Sequence, residues 1–148
     1  MPGSSVHLRL TADLAIEEGF APADAHAIAD ADKLVDRLWP GNRIWWRHFN
    51  PPASLILGPL ELRRAVRAER AGDHADALVH LGRSLHSRQD AVGHGRLGIN
   101  HLMWDVRLLR RNPDDWDLMP PSVQARIKAA TRRALRAFLA RTRPSASA

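Results

Sequence analysis

Apolar residues recur in this chain every three or four positions, and no stretch of any length alternates apolar with polar residue by residue. That spacing builds a hydrophobic stripe along one side of a helix and gives a strand no face to bury. Glycine and proline punctuate the pattern at Gly19, Pro22, Pro40-Gly41, Pro59, Gly72, Gly93 and Pro113. The reading is an all-α fold: one single-domain helical bundle over residues 1–143, with 144–148 a disordered tail. About six helices are expected, and 148 residues suffice for one core.

The first ten residues read as extended or frayed. Thr11 stands where an N-cap belongs and Gly19 where a helix stops. A second helix has Pro22 in its first turn and runs to about Trp39, where Pro40-Gly41 ends it. Its apolar face, at about 100° per residue, gathers Ala25, Ile28, Ala29, Asp32, Val35, Asp36 and Trp39. Burying an unpaired carboxylate is costly, so Asp32 and Asp36 require a cationic partner: a metal, an arginine or a protonated histidine. Pro40 to Pro59 reads as a long loop carrying Trp45, Trp46 and His48.

A third helix is expected from Pro59 to Ala71, and Asp73 caps a fourth that runs to about Gly93. Leu78, Gly82, Leu85, Gln89 and Val92 make the core face of the fourth, with His86 and Asp90 on its shoulder and His80 well off that strip. A fifth helix, Leu97 to Arg111, is apolar nearly all round and is placed at the centre. Ser122 caps the last, from Val123 to Arg141, which carries Arg126, Lys128, Arg132, Arg133, Arg136 and Arg141 and no acidic residue.

Bulk composition narrows the function classes. The chain has no cysteine, which excludes disulfides, thiolate ligands and cysteine nucleophiles, so any metal must be held by nitrogen and oxygen. No apolar run is long enough for a membrane span. The N-terminus lacks a basic segment followed by an apolar one, so no secretory signal is read and a cytoplasmic location is expected. The net charge of +6 comes from arginine and points to anionic partners, with the basic last helix a candidate nucleic-acid contact.

The chemistry concentrates between Asp73 and Asp105, which hold five of the eight histidines. His86, Asp90 and His94 are spaced by four, as are His101 and Asp105. Residues four apart lie one above the other on a helix, so the first three form one strip and the second pair another. Imidazole and carboxylate are ligands that divalent transition metals take from proteins. Two facing strips would make a centre for more than one ion.

The string LGRSLHSRQDAVGHG, Leu81 to Gly95, resembles the metal-binding helix of the zinc-dependent phospholipase C / P1 nuclease superfamily, closest to its HET-C-like bacterial branch with LGxxLHxxQDxxxH. His7 to Thr11, the AIEEGF segment after it, the stretch ending at Asp36 and His48-Phe49 add to the similarity, which covers roughly the first 105 residues. The resemblance implies an all-helical fold with one to three zinc ions. It assigns one ion to Asp36, His48, His86 and Asp90, a second to His94, His101 and Asp105, and a third to His7 with Asp90. In the superfamily a ligand lies six residues beyond the aspartate, whereas His94 lies four beyond Asp90.

The expected activity is metal-assisted hydrolysis of a phosphoester, in a phospholipid or a nucleic acid. Asp36 or Asp32 would take the proton from water. Arg83, Arg88 or Arg96 would hold the phosphate, whose geometry guanidinium matches. Two other readings fit the sequence: a metalloenzyme on the same scaffold acting on a small metabolite or peptide in a biosynthetic pathway, and a non-enzymatic basic helical binding module.

Overall fold

The computed structural model describes residues 5–37, 51–93 and 116–143. Among these residues there are five α-helices and no strand, so the fold is all-α. The helices are α1 (Thr11–Glu17), α2 (Pro22–Arg37), α3 (Pro51–Arg70), α4 (His74–Gly93) and α5 (Pro121–Thr142). A π-helical turn, Ser5–Leu10, leads into α1, and a 3-10 turn, Trp116–Leu118, precedes α5. The helix expected from Leu97 to Arg111 lies outside the described residues, as does the tail from 144 to 148.

Helix α4 is the hub: it packs on α2, α3 and α5, with α3·α4 the most extensive pairing. Its Leu78, Leu81 and Leu85 join Ile28 of α2, Leu62 and Val66 of α3, and Leu135 and Phe138 of α5 in one buried cluster. The core face read for α4 is buried at Leu78, Gly82, Leu85 and Gln89, and partly buried at Val92. On α2 the face holds as well, with Asp32 as buried as Ile28 beside it.

Local signals set most of the helix ends. Gly19, at φ +91°, ends α1, with Gly19 N–H donating to the Ile16 carbonyl and Phe20 N–H to Ala15. This is the paired C-terminal closure that needs a left-handed residue, which glycine supplies without steric cost. Phe20, just beyond it, is buried and stacks on Phe138 of α5 at 6.0 Å. Asp73 caps α4 as expected, its Oδ1 accepting from the Asp76 N–H at 3.1 Å.

Four local expectations change. Residues 5–10, expected to be extended or frayed, wind as a π-helix, because His7 is drawn into the buried interior. Thr11 does not cap α1; it is the first helical residue and its hydroxyl donates to Asp32. Helix α5 begins at Pro121 rather than after a Ser122 cap, the fixed φ and missing N–H of proline suiting a first helical position. Helix α3 starts at Pro51 and runs through Pro59, whereas a loop was expected up to Pro59 and the helix only from there. An interior proline costs about 3 kcal/mol, and the long contact with α4 offsets it. Gly58 lies against Arg88 there, and the Ser84 hydroxyl donates to the Gly58 carbonyl at 2.7 Å.

The basic face of α5 is partly committed to the fold. Arg136 binds Glu18 through Nε and Nη2 at 2.6 and 2.9 Å, and Arg132 donates to Glu17 at 2.5 Å. Lys128 lies over the Trp116 ring. Hydrogen bonds from Arg136 hold the Glu18 carboxyl below its ordinary value, against a smaller opposing push from burial. A depressed folded value means that this pair contributes fully above the ordinary carboxyl pKa and is lost as pH falls through the folded one. Urea midpoints of wild type and Arg136→Gln should therefore differ slightly at neutral pH and converge in acid; a gap that persists in acid would remove the ion pair as its cause.

Candidate metal centre

Five elements deliver the polar side chains of the interior. The π-helical turn and the start of α1 bring His7 and Thr11, α2 brings Asp32, α4 brings His86, Gln89 and Asp90, and α5 brings Thr131. All seven are buried, none more than 4% exposed. The close π-helical winding puts His7 and Thr11 on the same side, facing Asp32. On α4, His86 and Asp90 are one turn apart and share a face, as their spacing requires.

Asp32 is the anchor. Its Oδ1 lies 3.0 Å from His7 Nδ1 and 3.2 Å from His86 Nδ1, and its Oδ2 accepts from the Thr11 hydroxyl at 2.7 Å. A carboxylate only accepts, so each ring presents Nδ1–H to it. A cationic partner was expected for this carboxylate; its partners among the described residues are two imidazole N–H groups and a hydroxyl.

Gln89 fixes the arrangement a second time. The Thr11 hydroxyl spends its proton on Asp32, so its oxygen accepts from Gln89 Nε2 at 2.9 Å. Gln89 Nε2 also donates to the Thr131 hydroxyl at 3.2 Å. The amide oxygen is thereby turned to His7 Nδ1 at 2.8 Å, where it accepts the same N–H that faces Asp32. Both rings thus keep Nδ1 protonated, and Nε2 is the nitrogen that can ligate a metal. Which ring nitrogen binds metal is set by the bond that the other makes.

Both Nε2 atoms lie beside Asp90. His7 Nε2 is 3.7 Å from Oδ1 and His86 Nε2 is 3.0 Å from Oδ2, with the ring centroids 4.6 Å apart. One ligating atom each from His7, His86 and Asp90 falls within 4.8 Å of the others. Ligand atoms around a tetrahedral zinc lie roughly 3.3 Å apart, given bonds near 2.0–2.1 Å, and the two measured separations bracket that value. Two carboxylates and two neutral imidazoles carry a formal charge of −2, which one divalent ion neutralises. The donor set therefore fits a divalent metal.

The sequence-predicted ligands divide three ways. His7, His86 and Asp90 are brought together, although His7 is 82 residues from its partner Gln89. Asp36 falls in the last turn of α2, and its side chain lies outside the described set. His48, His94, His101 and Asp105 also lie outside the described residues. Arg83 is not in the cluster; it lines a small cleft whose other walls include His86, Glu61 and Ser87. His80, read as lying well off the α4 strip, contacts the buried Glu61 through Nδ1 at 2.5 Å and Asp76 through Nε2 at 3.4 Å.

Gln89, Thr11, Thr131 and Glu61 were not singled out as site residues by sequence reasoning. One signal was available: Gln89 and Thr131 are polar residues on apolar helix faces, the same anomaly that marked Asp32.

Comparisons with protein-family models, curated proteins and solved structures return no match. What the protein does must therefore be argued from the centre itself.

Proposed function

We propose that His7, His86 and Asp90 hold a zinc ion and that the protein is a metal-dependent hydrolase of phosphoester bonds. One observation carries this reading: two buried imidazoles, each pinned at Nδ1, direct Nε2 toward the same carboxylate. Two histidines and a carboxylate are a set that catalytic zinc sites use. A zinc ion bound there would polarise a phosphoryl oxygen and lower the pKa of water to about 7.

The residues of the chain take distinct roles in this reading. Asp32 orients both rings rather than receiving a proton from water, because its two oxygens already accept three bonds. Gln89 holds His7 in the ligating tautomer. Arg83 makes no ion pair among the described residues and shares a cleft with His86, so it is the guanidinium placed to hold an anionic substrate. A nucleic-acid role for α5 is less favoured, because Arg132 and Arg136 are engaged by Glu17 and Glu18.

Elemental mass spectrometry of tag-free protein, purified without added metal, tests the reading. Wild type should carry at least one equivalent of zinc and His86→Ala well under a tenth of that, with hydrolysis of bis(p-nitrophenyl) phosphate lost in parallel. Chelation should lower the Tm, since an ion bound only by the folded state stabilises it. Metal-free wild type of unchanged Tm would instead identify a closed imidazolium–carboxylate network and end the hydrolase reading.

A further inference from the structure

Next to the candidate metal centre, among the described residues, lies a larger cleft of which the hydrolase reading uses only Arg83. It has a volume of about 570 Å³ and is bounded by the π-helical turn, α2 and α4. That volume is within the roughly 300–1,000 Å³ usual for small-molecule sites. Leu8, Ala27, Ala31 and Val79 supply apolar walls, and Leu34, 46% exposed, stands at the rim. An apolar hollow of this size suits a hydrocarbon chain, because its lining has little to offer a polar ligand in exchange for water.

The charged residues of the cleft are unevenly matched. Arg83 and Lys33 line it with Asp30, which gives an excess of one positive charge. None of these three side chains forms a salt bridge or hydrogen bond among the described residues. Arg83 also borders the small cleft at His86, and Val35 is common to both, so Arg83 stands between the apolar hollow and the metal centre. A ligand filling the hollow would carry its polar end toward Arg83.

We propose that this cleft binds an amphipathic anion: a single aliphatic chain along Leu8, Ala27, Ala31 and Val79, with a carboxylate or phosphate head at Arg83. Binding requires only the cleft. Presentation of the head group to His86 rests in addition on the zinc reading above.

The test is titration of the full-length protein with decanoate, decyl phosphate, decanol and acetate, below micelle-forming concentrations, followed by calorimetry and by amide shifts. Both decyl anions should bind saturably at one site, with shifts at Leu8, Ala27, Ala31 and Val79. Decanol should bind at least about tenfold more weakly for want of the charge-assisted contact, and acetate not measurably. Whichever decyl anion binds more tightly identifies the head group as carboxylate or phosphate.

Ala27→Trp fills the hollow from an exposed position and should weaken both anions at least about tenfold. Arg83→Gln should bring them to the level of decanol and leave decanol unchanged. No saturable binding, shifts confined to α5, or wild-type affinity in Ala27→Trp would overturn the proposal. Decanol binding as tightly as the anions would overturn the head-group assignment. Zinc content of the same samples separates the two readings: chain binding without zinc ends the hydrolase reading alone, and zinc without chain binding ends this one alone.

Discussion

Gly82→Ala is expected to dismantle the buried His/Asp cluster without altering any of its side chains. Helix α4 crosses α2 at this residue, one turn before His86. An added Cβ would meet the Ile28 carbonyl oxygen in a prohibitive contact, with Ala31 Cβ at 2.7 Å and the Asp32 nitrogen at 2.8 Å. Two of these three atoms belong to the α2 backbone, so no flexible side chain can swing aside. The helices must separate, and Asp32 must withdraw from His86. Alanine is favoured over glycine in a helix by about 1 kcal/mol, whereas overpacking a close contact costs typically 1–3 kcal/mol and sometimes more. With the clash on rigid backbone, a net loss of about 2 kcal/mol or more is expected, a large share of a typical 5–15 kcal/mol stability. The urea midpoint should fall and, on the proposed zinc reading, zinc content should fall with it. A midpoint at or above wild type would show that α2 and α4 do not approach so closely.

Asp32→Asn is the second large effect, and it is expected to act on metal affinity as well as on folding. The carboxylate accepts from His7, His86 and Thr11 at once, with no exposure to water. Asparagine keeps the shape but loses the charge, and its NH₂ cannot accept from Thr11 or a ring N–H. At least one bond is lost, at about 1–3 kcal/mol for a buried donor left unsatisfied. On the proposed zinc reading, affinity for the ion should drop roughly 10–100-fold, the usual effect of removing a partner that orients a ligating histidine. Competition with a chelating dye at fixed pH reads this directly. Unchanged affinity in a folded variant would show that neither ring depends on Asp32 for its ligating tautomer.

Both expectations concern residues whose importance was only half visible in the sequence. Asp32 was conspicuous as a carboxylate on an apolar helix face, and its need for a positive partner followed from the cost of burial. That the partners are two imidazole N–H groups did not follow, because His7 lies in a segment with no helical signal of its own. Gly82 read simply as a core-face position. Its function as the crossing point depends on how closely α2 approaches, which no spacing along α4 encodes. Thr11 shows the same limit: threonine before a helix signals a cap, but here its hydroxyl donates to the buried Asp32 and its oxygen accepts from Gln89.

Periodicity and punctuation by themselves determined the all-α class, the apolar faces of α2 and α4, the Gly19 stop, the Asp73 cap and the one-turn pairing of His86 with Asp90. These depend on φ preferences and on the 3.6-residue repeat, which neighbouring residues set among themselves. Tertiary structure alone decided that His7 enters the interior from a π-helical turn, that α3 continues through Pro59, and that Asp32, joined by Gln89 at His7, accepts from Nδ1 of both rings. Each of these depends on contacts between segments far apart in the chain, where the gain from packing and from satisfying buried polar groups exceeds the local preference that it overrides.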